Sequence, residues 1–318
     1  MSQYDIDPAY LGFPNIRYVH NRWWLRAISM VLRVMRINHR WDDDIEVRKH
    51  RVTGVDANSI RVLEIASCEA GRKAPAIVYL HGGAFFLTYA GLHLDNAQRY
   101  ARTGQCRVFL VDYRLSTQAP FPAAQDDCQS ALEWVHDNAA ALGIDKERLL
   151  VAGDSAGGCL AASCTHMTQD RNRHRGEAIN IRAQLLIYPV TDCEAKTASA
   201  NSFTDTPLWT RDGNRLMWDL YLGQGAQPRG TGGAGIPRYA SPAHRESLQG
   251  LPSAYIEVAQ FDPLHDEACD YARALQADGV PVQLVETEHT VHGYDAVDCD
   301  RTRKYMARRL KALKNFLQ

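Results

Sequence analysis

Short apolar segments of strand-like composition recur along this sequence and alternate with stretches that have helical spacing. Six such segments follow one another: PAIVYLHGG, CRVFLVDYRL, ERLLVAGDS, AQLLIYPV, SAYIEVAQFD and VPVQLVETE. Runs that are apolar on both faces are typical of strands buried between two layers of helices. Strands that alternate with helices form parallel sheets, so the pattern predicts an α/β fold whose mostly parallel sheet is covered on both faces.

The stretches between these strands have the periodicity of amphipathic helices. Helices are predicted at residues 94–105, 123–142 and 266–277, and each ends near a glycine, as helix C-termini often do. Residues 301–317 are predicted to form a last, basic amphipathic helix. Ahead of the first buried strand, residues 45–67 alternate in polarity, which predicts an exposed antiparallel hairpin.

Two segments interrupt the alternation of strands and helices. Residues 1–44 are rich in tryptophan and helical in spacing, and residues 194–245 contain TPLWTRDGNRLMWDLYL followed by a glycine-rich loop. We expect these two segments to form a helical cap. The core of the protein is then made of residues 45–193 and residues 246–318.

The amino-acid composition limits the kinds of molecule that this protein can be expected to bind. The chain has 318 residues, 45% of them hydrophobic, and a formal net charge of −1, so it has material for a large core and no overall field that would attract nucleic acid. Eight cysteines occur without a CxxC pair, and no segment resembles a secretory signal, which predicts reduced thiols and a cytoplasmic location. Arginines interrupt the apolar run of residues 23–37, so stable membrane insertion is not expected.

The motif GDSAG lies where a predicted strand runs into a predicted helix. This context fits a nucleophile elbow, a sharp turn that exposes a serine hydroxyl at the sheet edge. Nothing bulky can stand beside such a turn, which explains Gly153 and Gly157 on either side of Ser155. A glycine turn with an incidental serine is the alternative, so the motif alone leaves the function open.

A second glycine motif, HGG, also leaves a predicted strand. A tetrahedral oxyanion needs two or three N–H donors with no side chain in the way, and consecutive glycines provide them. The expected donors are the amides of Gly82, Gly83 and Ala156. His81 is expected to brace this loop by hydrogen bonds rather than to transfer protons.

Five motifs in order give the chain a family resemblance. The sequences HGGAFF, DYRLSTQAPFPAAQDD, GDSAGG, FDPLHDE and HGY resemble those of the bacterial hormone-sensitive lipase-like (family IV) carboxylesterases, within the α/β-hydrolase superfamily. The resemblance implies an α/β-hydrolase fold with an eight-stranded sheet and a helical cap. It also implies a catalytic triad of Ser155 as nucleophile, Asp262 as acid and His292 as base.

The positions of these residues agree with the implied roles. Asp262 follows one predicted strand and His292 lies after another, so both side chains can reach the sheet edge where Ser155 stands. Three neighbours compete for the roles. These are Asp266 and Glu267 as the acid, and His289 as the base.

The expected activity is hydrolysis of short-chain acyl esters through an acyl-enzyme, with no metal or organic cofactor and a small-molecule ester as substrate. Candidate pocket residues are Phe85, Phe86, Trp209, Leu216 and Tyr294. The same triad also serves amidases, lactonases and acyltransferases, and some proteins of this fold only bind small molecules. Action at lipid surfaces through the tryptophan-rich N-terminal helix is a third alternative, and the resemblance makes a homodimer reasonable.

Overall fold

One eight-stranded sheet organises the protein in a computed structural model that describes residues 4–14, 19–223 and 235–318. The strands are β1 (Ile45–Thr53), β2 (Ser59–Ser67), β3 (Ala74–Leu80), β4 (Arg107–Asp112), β5 (Ile144–Asp154), β6 (Ile181–Ile187), β7 (Ser253–Phe261) and β8 (Val282–Val291). Their order in the sheet is β1-β2-β4-β3-β5-β6-β7-β8. β2 pairs antiparallel with both β1 and β4, and every other pairing is parallel, which confirms the predicted mostly parallel sheet.

Nine α-helices lie in the described residues. They are α1 (Arg22–Met35), α2 (Gly91–Gly104), α3 (Ala123–Asp137), α4 (Ala139–Leu142), α5 (Ala156–Asn172), α6 (Ala198–Ser202), α7 (Arg211–Leu222), α8 (His265–Ala277) and α9 (Asp300–Leu317). The buried apolar residues form two clusters that draw on alternate positions of the central strands. Val78 in β3 belongs to one cluster and Ile77 to the other, as expected for a sheet covered on both faces.

Two expectations need correction. The predicted hairpin of residues 45–67 is antiparallel, but the second half of β2 is buried because it pairs with β4 as well as with β1. The predicted helix of residues 123–142 is divided at Asn138, which lies between α3 and α4. Gly143 ends α4 in the left-handed conformation that favours glycine.

The carboxyl ends of four parallel strands lead into the predicted site residues. Gly82 follows β3, Ser155 follows β5, Asp262 follows β7 and His292 follows β8. Because these strands are parallel, their carboxyl ends meet at one edge of the sheet. The topology therefore gathers residues that are up to 210 positions apart along the sequence.

Helices from both predicted cap segments cover the loop after β3. Ser29 of α1 donates a hydrogen bond to the Phe86 carbonyl over 3.3 Å, and the Tyr221 ring of α7 stacks on Phe85 with centroids 3.8 Å apart. Residues 224–234, part of the predicted cap segment 194–245, lie outside the described residues. The division into residues 1–44, 45–193, 194–245 and 246–318 stays a prediction.

Candidate active site

Ser155 occupies a sharp turn between β5 and α5. Its backbone has φ 54° and ψ −121°, a conformation that non-glycine residues rarely adopt. Two hydrogen bonds hold the turn against the next strand. The Ser155 amide donates to the Ile187 carbonyl over 2.8 Å, and the Val190 amide donates to the Ser155 carbonyl over 3.1 Å.

Three glycines leave the space that this turn requires. A Cβ on Gly153 would lie 2.1 Å from the Gly157 carbonyl oxygen, and a Cβ on Gly157 would lie 1.9 Å from the Leu80 carbonyl oxygen. A Cβ on Gly158 would lie 2.7 Å from the Pro189 side chain. Larger residues at 153 or 157 would force the start of α5 away from the sheet, so the glycines set the position of Ser155.

Ser155, His292 and Asp262 form a hydrogen-bonded chain. His292 Nε2 lies 2.9 Å from Ser155 Oγ, and His292 Nδ1 lies 2.6 Å from Asp262 Oδ2. The second carboxylate oxygen of Asp262 accepts the Leu264 amide over 3.0 Å. With Nδ1–H donating a hydrogen bond to the Asp262 carboxylate, the neutral imidazole has its lone pair on Nε2, facing the serine hydroxyl. All three side chains are buried, and Asp262 is fully inaccessible.

The residues that compete for these roles are bonded elsewhere. Asp266 accepts the Ser199 amide over 2.8 Å, and Glu267 accepts the Thr191 amide over 2.7 Å. Burial raises the pKa of Glu267 well above its ordinary value. His289 pairs with Asp5 at 3.1 Å. The geometry therefore favours Asp262 and His292 over all three alternatives.

The loop after β3 differs from the sequence-based expectation at Gly82. Its amide donates to Asp154 Oδ2 over 3.0 Å, which contradicts the prediction that Gly82 supplies an oxyanion donor. The amides of Gly83, Ala84 and Ala156 have no acceptor within the described part of the chain. Gly83 has φ +115° and Ala84 has φ 55°, so both lie in the left-handed half of conformational space. These three amides are therefore available as oxyanion donors, whereas the Gly82 amide is not.

Asp154 ties this loop to the nucleophile turn, a role that sequence reasoning missed. Its Oδ1 accepts the Tyr79 hydroxyl over 2.7 Å, and its Oδ2 accepts His93 Nε2 over 3.2 Å in addition to the Gly82 amide. Burial acts to raise the pKa of Asp154, but the interactions with His93 and Tyr79 outweigh it and the net pKa is lowered. Asp154 fills the variable position of the GxSxG pattern, so the motif itself gives no signal of this role.

His81 stabilises the loop after β3 through its buried ring. Its Nδ1 donates to the Gly82 carbonyl over 2.6 Å, and its ring stacks on Tyr113 with centroids 4.2 Å apart. Burial lowers the pKa of His81 to about 4. A neutral ring in this position agrees with the predicted bracing role.

The predicted pocket residues divide into two groups. Trp209 lies beside the site, with its ring centroid 5.8 Å from that of His292. Phe85 and Phe86 are buried against α7 and α1, and Leu216 is a buried residue of α7 itself. Tyr294 points away instead. Its hydroxyl donates to Glu257 Oε1 over 2.6 Å inside the core, which contradicts the prediction that it lines the pocket.

Tyr294 belongs to a buried ionic cluster that supports the histidine loop. Arg309 is fully inaccessible and pairs with both Glu257 and Asp295. Asp295 also accepts the Tyr188 hydroxyl over 2.6 Å, and the Tyr188 ring meets the His292 ring edge-on at 4.8 Å. The cluster thus fixes the loop that carries the base. Its members are far apart in sequence, so no local motif reveals it.

One group in the described residues has donor atoms close enough together to hold a metal ion. It consists of Asp192, Cys193 and His244. His244 Nε2 lies 2.7 Å from Asp192 Oδ1, and burial raises the pKa of the Cys193 thiol to about 12. The triad chemistry uses none of these three side chains.

Comparison with known proteins places this fold in a family. A family described as alpha/beta hydrolase fold matches residues 77–296. Carboxylesterase NlhH of Mycobacterium tuberculosis is 37% identical over 221 residues, which cover 69% of this chain and 66% of NlhH. The matched segment thus falls just short of two thirds of that relative.

Two solved structures are similar over nearly the whole chain. A protein titled Bacterial Heroin Esterase superposes with a TM-score of 0.87 at 28% identity, covering 99% of this chain and 98% of its own. Esterase LipW of Mycobacterium marinum superposes with a TM-score of 0.84 at 30% identity, covering 98% of this chain and 96% of its own. The chain therefore belongs to the α/β-hydrolase fold family, in the hormone-sensitive lipase-like branch that its motifs resemble.

Proposed function

We propose that this protein is a serine carboxylesterase that hydrolyses short-chain acyl esters through an acyl-enzyme intermediate. The observation that carries the proposal is the hydrogen-bonded chain from Ser155 through His292 to Asp262, set in a strained strand-to-helix turn. The three relatives named above are all called esterases, which supports the same reaction class.

Acylation starts at the serine hydroxyl. A serine is a poor nucleophile near neutral pH, so His292 Nε2 takes the Oγ proton as Ser155 attacks the ester carbonyl carbon. Asp262 keeps the imidazole in the required tautomer and stabilises its charged form. Collapse of the tetrahedral intermediate transfers the proton from His292 to the leaving alcohol, and the acyl group remains on Ser155.

The oxyanion of that intermediate lies between the two loops. The amides of Gly83 and Ala84 come from one side, and the Ala156 amide comes from the first position of α5. Donors fixed in advance stabilise developing charge without reorganisation, and one such donor contributes roughly 10²- to 10³-fold to kcat. The N-terminal end of α5 adds the positive end of its dipole.

Deacylation repeats these steps with water. His292 removes a proton from the water as its oxygen attacks the acyl carbon, and then returns a proton to Ser155 as the acid leaves. No step draws on a metal or an organic cofactor.

The preference for short acyl chains rests on the family resemblance and on the residues around the site. The Trp209 ring lies 5.8 Å from the His292 ring, and Phe85, in the loop after β3, stacks on Tyr221 with centroids 3.8 Å apart. An aromatic ring therefore lies beside the catalytic base. An acyl chain of up to about six carbons is what the resemblance implies. The alcohol portion of the natural substrate is left open by these contacts.

A series of p-nitrophenyl esters from acetyl to decanoyl tests the proposal. We expect activity to peak at the short chains and to be lost in Ser155→Ala and in His292→Ala. Ser130→Ala is a matched control, because the Ser130 hydroxyl bonds the Asp126 carbonyl within α3. Matched p-nitroanilides separate an esterase from an amidase. Activity of Ser155→Ala near that of the wild type would overturn the proposed nucleophile.

A cytoplasmic location and a homodimer complete the proposal. All eight cysteines are free thiols, as is usual in a reducing compartment. No helix in the described part of the chain is long and apolar enough to cross a membrane. Cell fractionation and sedimentation velocity test the two statements separately.

A further inference from the structure

Helix α1 exposes an apolar face to solvent. Its large side chains at positions three or four apart are uncovered, among them Trp23 at 78%, Val34 at 58% and Met35 at 70% exposure. The exposed large apolar side chains of α1 and the turn after it are Trp23, Trp24, Met30, Val31, Val34, Met35 and Ile37. An exposed apolar patch of this extent marks an interaction surface.

The other side of α1 is anchored to the body of the protein. Leu25 is fully buried, and Arg26 donates to the Thr117 carbonyl over 2.6 Å. Ser29 is also buried and donates to the Phe86 carbonyl. Helix α1 therefore packs on the core through one face, and its exposed apolar face points toward solvent.

The segment around α1 is strongly basic. Between Asp7 and Asp42 the sequence has six arginines and no acidic residue, although the whole chain has a net charge of −1. Positive charge next to an apolar helical face is the composition of helices that lie in the interface of an anionic membrane. The same charge opposes contact with a second copy of this face, because the arginines would approach one another.

A basic groove continues from the end of α1. It has a volume of about 660 Å³ and lies between the end of α1 and strands β1, β2 and β4, with an apolar floor that includes Leu63 and Leu110. Arg33, Arg36 and Lys49 lie along it. None of these three has a carboxylate partner within the described residues, and the buried Nε of Arg33 has no hydrogen-bond partner there.

Two other basic residues of the groove have an acidic partner. Arg61 pairs with Asp112 at 2.5 Å, and His50 bonds Glu64 at 2.7 Å. Arg36 donates to Thr88 Oγ1 and to the Tyr89 carbonyl, so it is fixed in place although no carboxylate of the described residues lies within ion-pair distance of it. The groove thus presents fixed positive charge above an apolar floor, which suits a phosphate group that carries an acyl chain.

We propose that the α1 face, defined as the exposed apolar side chains of α1 with the adjacent basic groove, docks this protein on the surface of an anionic phospholipid bilayer. The apolar side chains enter the boundary between headgroups and acyl chains, and the arginines bind lipid phosphates. The helix lies on the membrane and does not cross it. The proposal does not depend on the reaction at Ser155.

Sedimentation with sucrose-loaded vesicles tests the proposal on the full chain. One set of vesicles is phosphatidylcholine alone, and the other contains phosphatidylglycerol as the anionic lipid. We expect the protein to bind the anionic vesicles and to be released as NaCl is raised, since screening weakens contacts between exposed charges. Binding to neutral vesicles is expected to be weaker by at least roughly tenfold.

Two variants separate the apolar and the charged contributions. Trp24→Ser with Met35→Ser removes apolar surface from the α1 face and is expected to weaken vesicle binding by more than roughly tenfold. Leu284→Ser on β8 is the matched control, since Leu284 is also an exposed apolar residue, 38% accessible, at the opposite edge of the sheet. Circular dichroism melts check that each variant is folded.

The charge variant is Arg33→Gln with Lys49→Gln. Each basic residue near an anionic surface contributes about 1 kcal/mol, so the pair should change binding by roughly 30-fold. Lys311→Gln with Lys314→Gln is the control, because both lysines are exposed on α9 and line no part of the groove. The control is expected to leave vesicle binding within about twofold.

Three results would overturn the proposal. The first is no binding to anionic vesicles at low salt, and the second is equal binding to neutral and anionic vesicles. The third is a dimer in sedimentation velocity that dissociates in the Trp24→Ser, Met35→Ser variant while vesicles bind neither protein. That result would assign the α1 face to a second copy of the chain.

Discussion

Asp154→Ala is expected to destabilise the protein and to slow catalysis together. The carboxylate accepts hydrogen bonds from the Tyr79 hydroxyl, the Gly82 amide and His93 Nε2, and it is 5% exposed. Two of these donors belong to β3 and the loop after it, while Asp154 itself directly precedes Ser155. Its side chain therefore holds the two halves of the oxyanion site in register.

The magnitude follows from the three donors that lose their acceptor. A buried donor left without a partner costs about 1–3 kcal/mol, so the loss in unfolding free energy is expected to be at least about 3 kcal/mol. That is a large share of the roughly 5–15 kcal/mol by which a domain is usually stable. Release of the loop also displaces the Gly83 and Ala84 amides, for which we expect kcat to fall by roughly 10²-fold.

Asp154→Asn is the matched control. Its amide oxygen still accepts from Gly82 and His93, and its amino group can donate to the Tyr79 oxygen, so the expected loss is about 1–2 kcal/mol with a smaller change in kcat. Urea unfolding followed by circular dichroism gives the stability, and p-nitrophenyl acetate hydrolysis gives kcat. If Asp154→Ala lost less than about 1 kcal/mol and kept its kcat, the argument that Asp154 couples the two loops would be refuted.

Three further predictions test the turn, the buried histidine and the loop strain. A Cβ at position 157 would lie 1.9 Å from a main-chain oxygen, so Gly157→Ala should abolish esterase activity and lower Tm. Gly176→Ala is the control: its Cβ would have no neighbour within 4 Å, so neither activity nor Tm should change. Burial lowers the pKa of His166 to about 3 from 6.5, so its neutral form is favoured in the folded state and stability falls as the pH drops below 6.5. Urea unfolding at pH 7 and pH 5 should therefore show a slope that His166→Phe reduces by up to about 1.4 kcal/mol per pH unit; an unchanged slope would mean that His166 is protonated in the folded protein. Ala84 has φ 55°, so Ala84→Gly should relieve strain and raise the unfolding free energy by up to about 1 kcal/mol, and a clear loss of stability in thermal melts would contradict this.

Local sequence patterns were sufficient to predict the sheet and the edge of it at which the site residues meet. Strand composition and the glycines around Ser155 are short-range features, and the parallel order of the strands then brings Asp262 and His292 to the same edge. The family resemblance supplied the roles of the last two residues. The structure adds the distances that make those roles chemically possible.

The direction of individual side chains could not be predicted in the same way. The Tyr294 hydroxyl donates a hydrogen bond to Glu257, 37 residues away, and accepts one from Arg309. Its orientation therefore depends on packing between distant elements. The Gly82 amide is committed to Asp154, 72 residues away, which the HGG motif does not reveal. Long-range partners of this kind decide which predicted residues face the substrate.

Intact-protein mass spectrometry after treatment with diethyl p-nitrophenyl phosphate tests the central claim most directly. An organophosphate reacts with a serine that a neighbouring base activates, as the contact between His292 Nε2 and Ser155 Oγ provides here. We predict one diethylphosphoryl adduct on the wild type, mapped to Ser155 by peptide sequencing. No adduct should form on Ser155→Ala, and labelling of His292→Ala should be slower by orders of magnitude. An adduct on another residue, or equal labelling of Ser155→Ala, would contradict the assignment of Ser155 as the nucleophile.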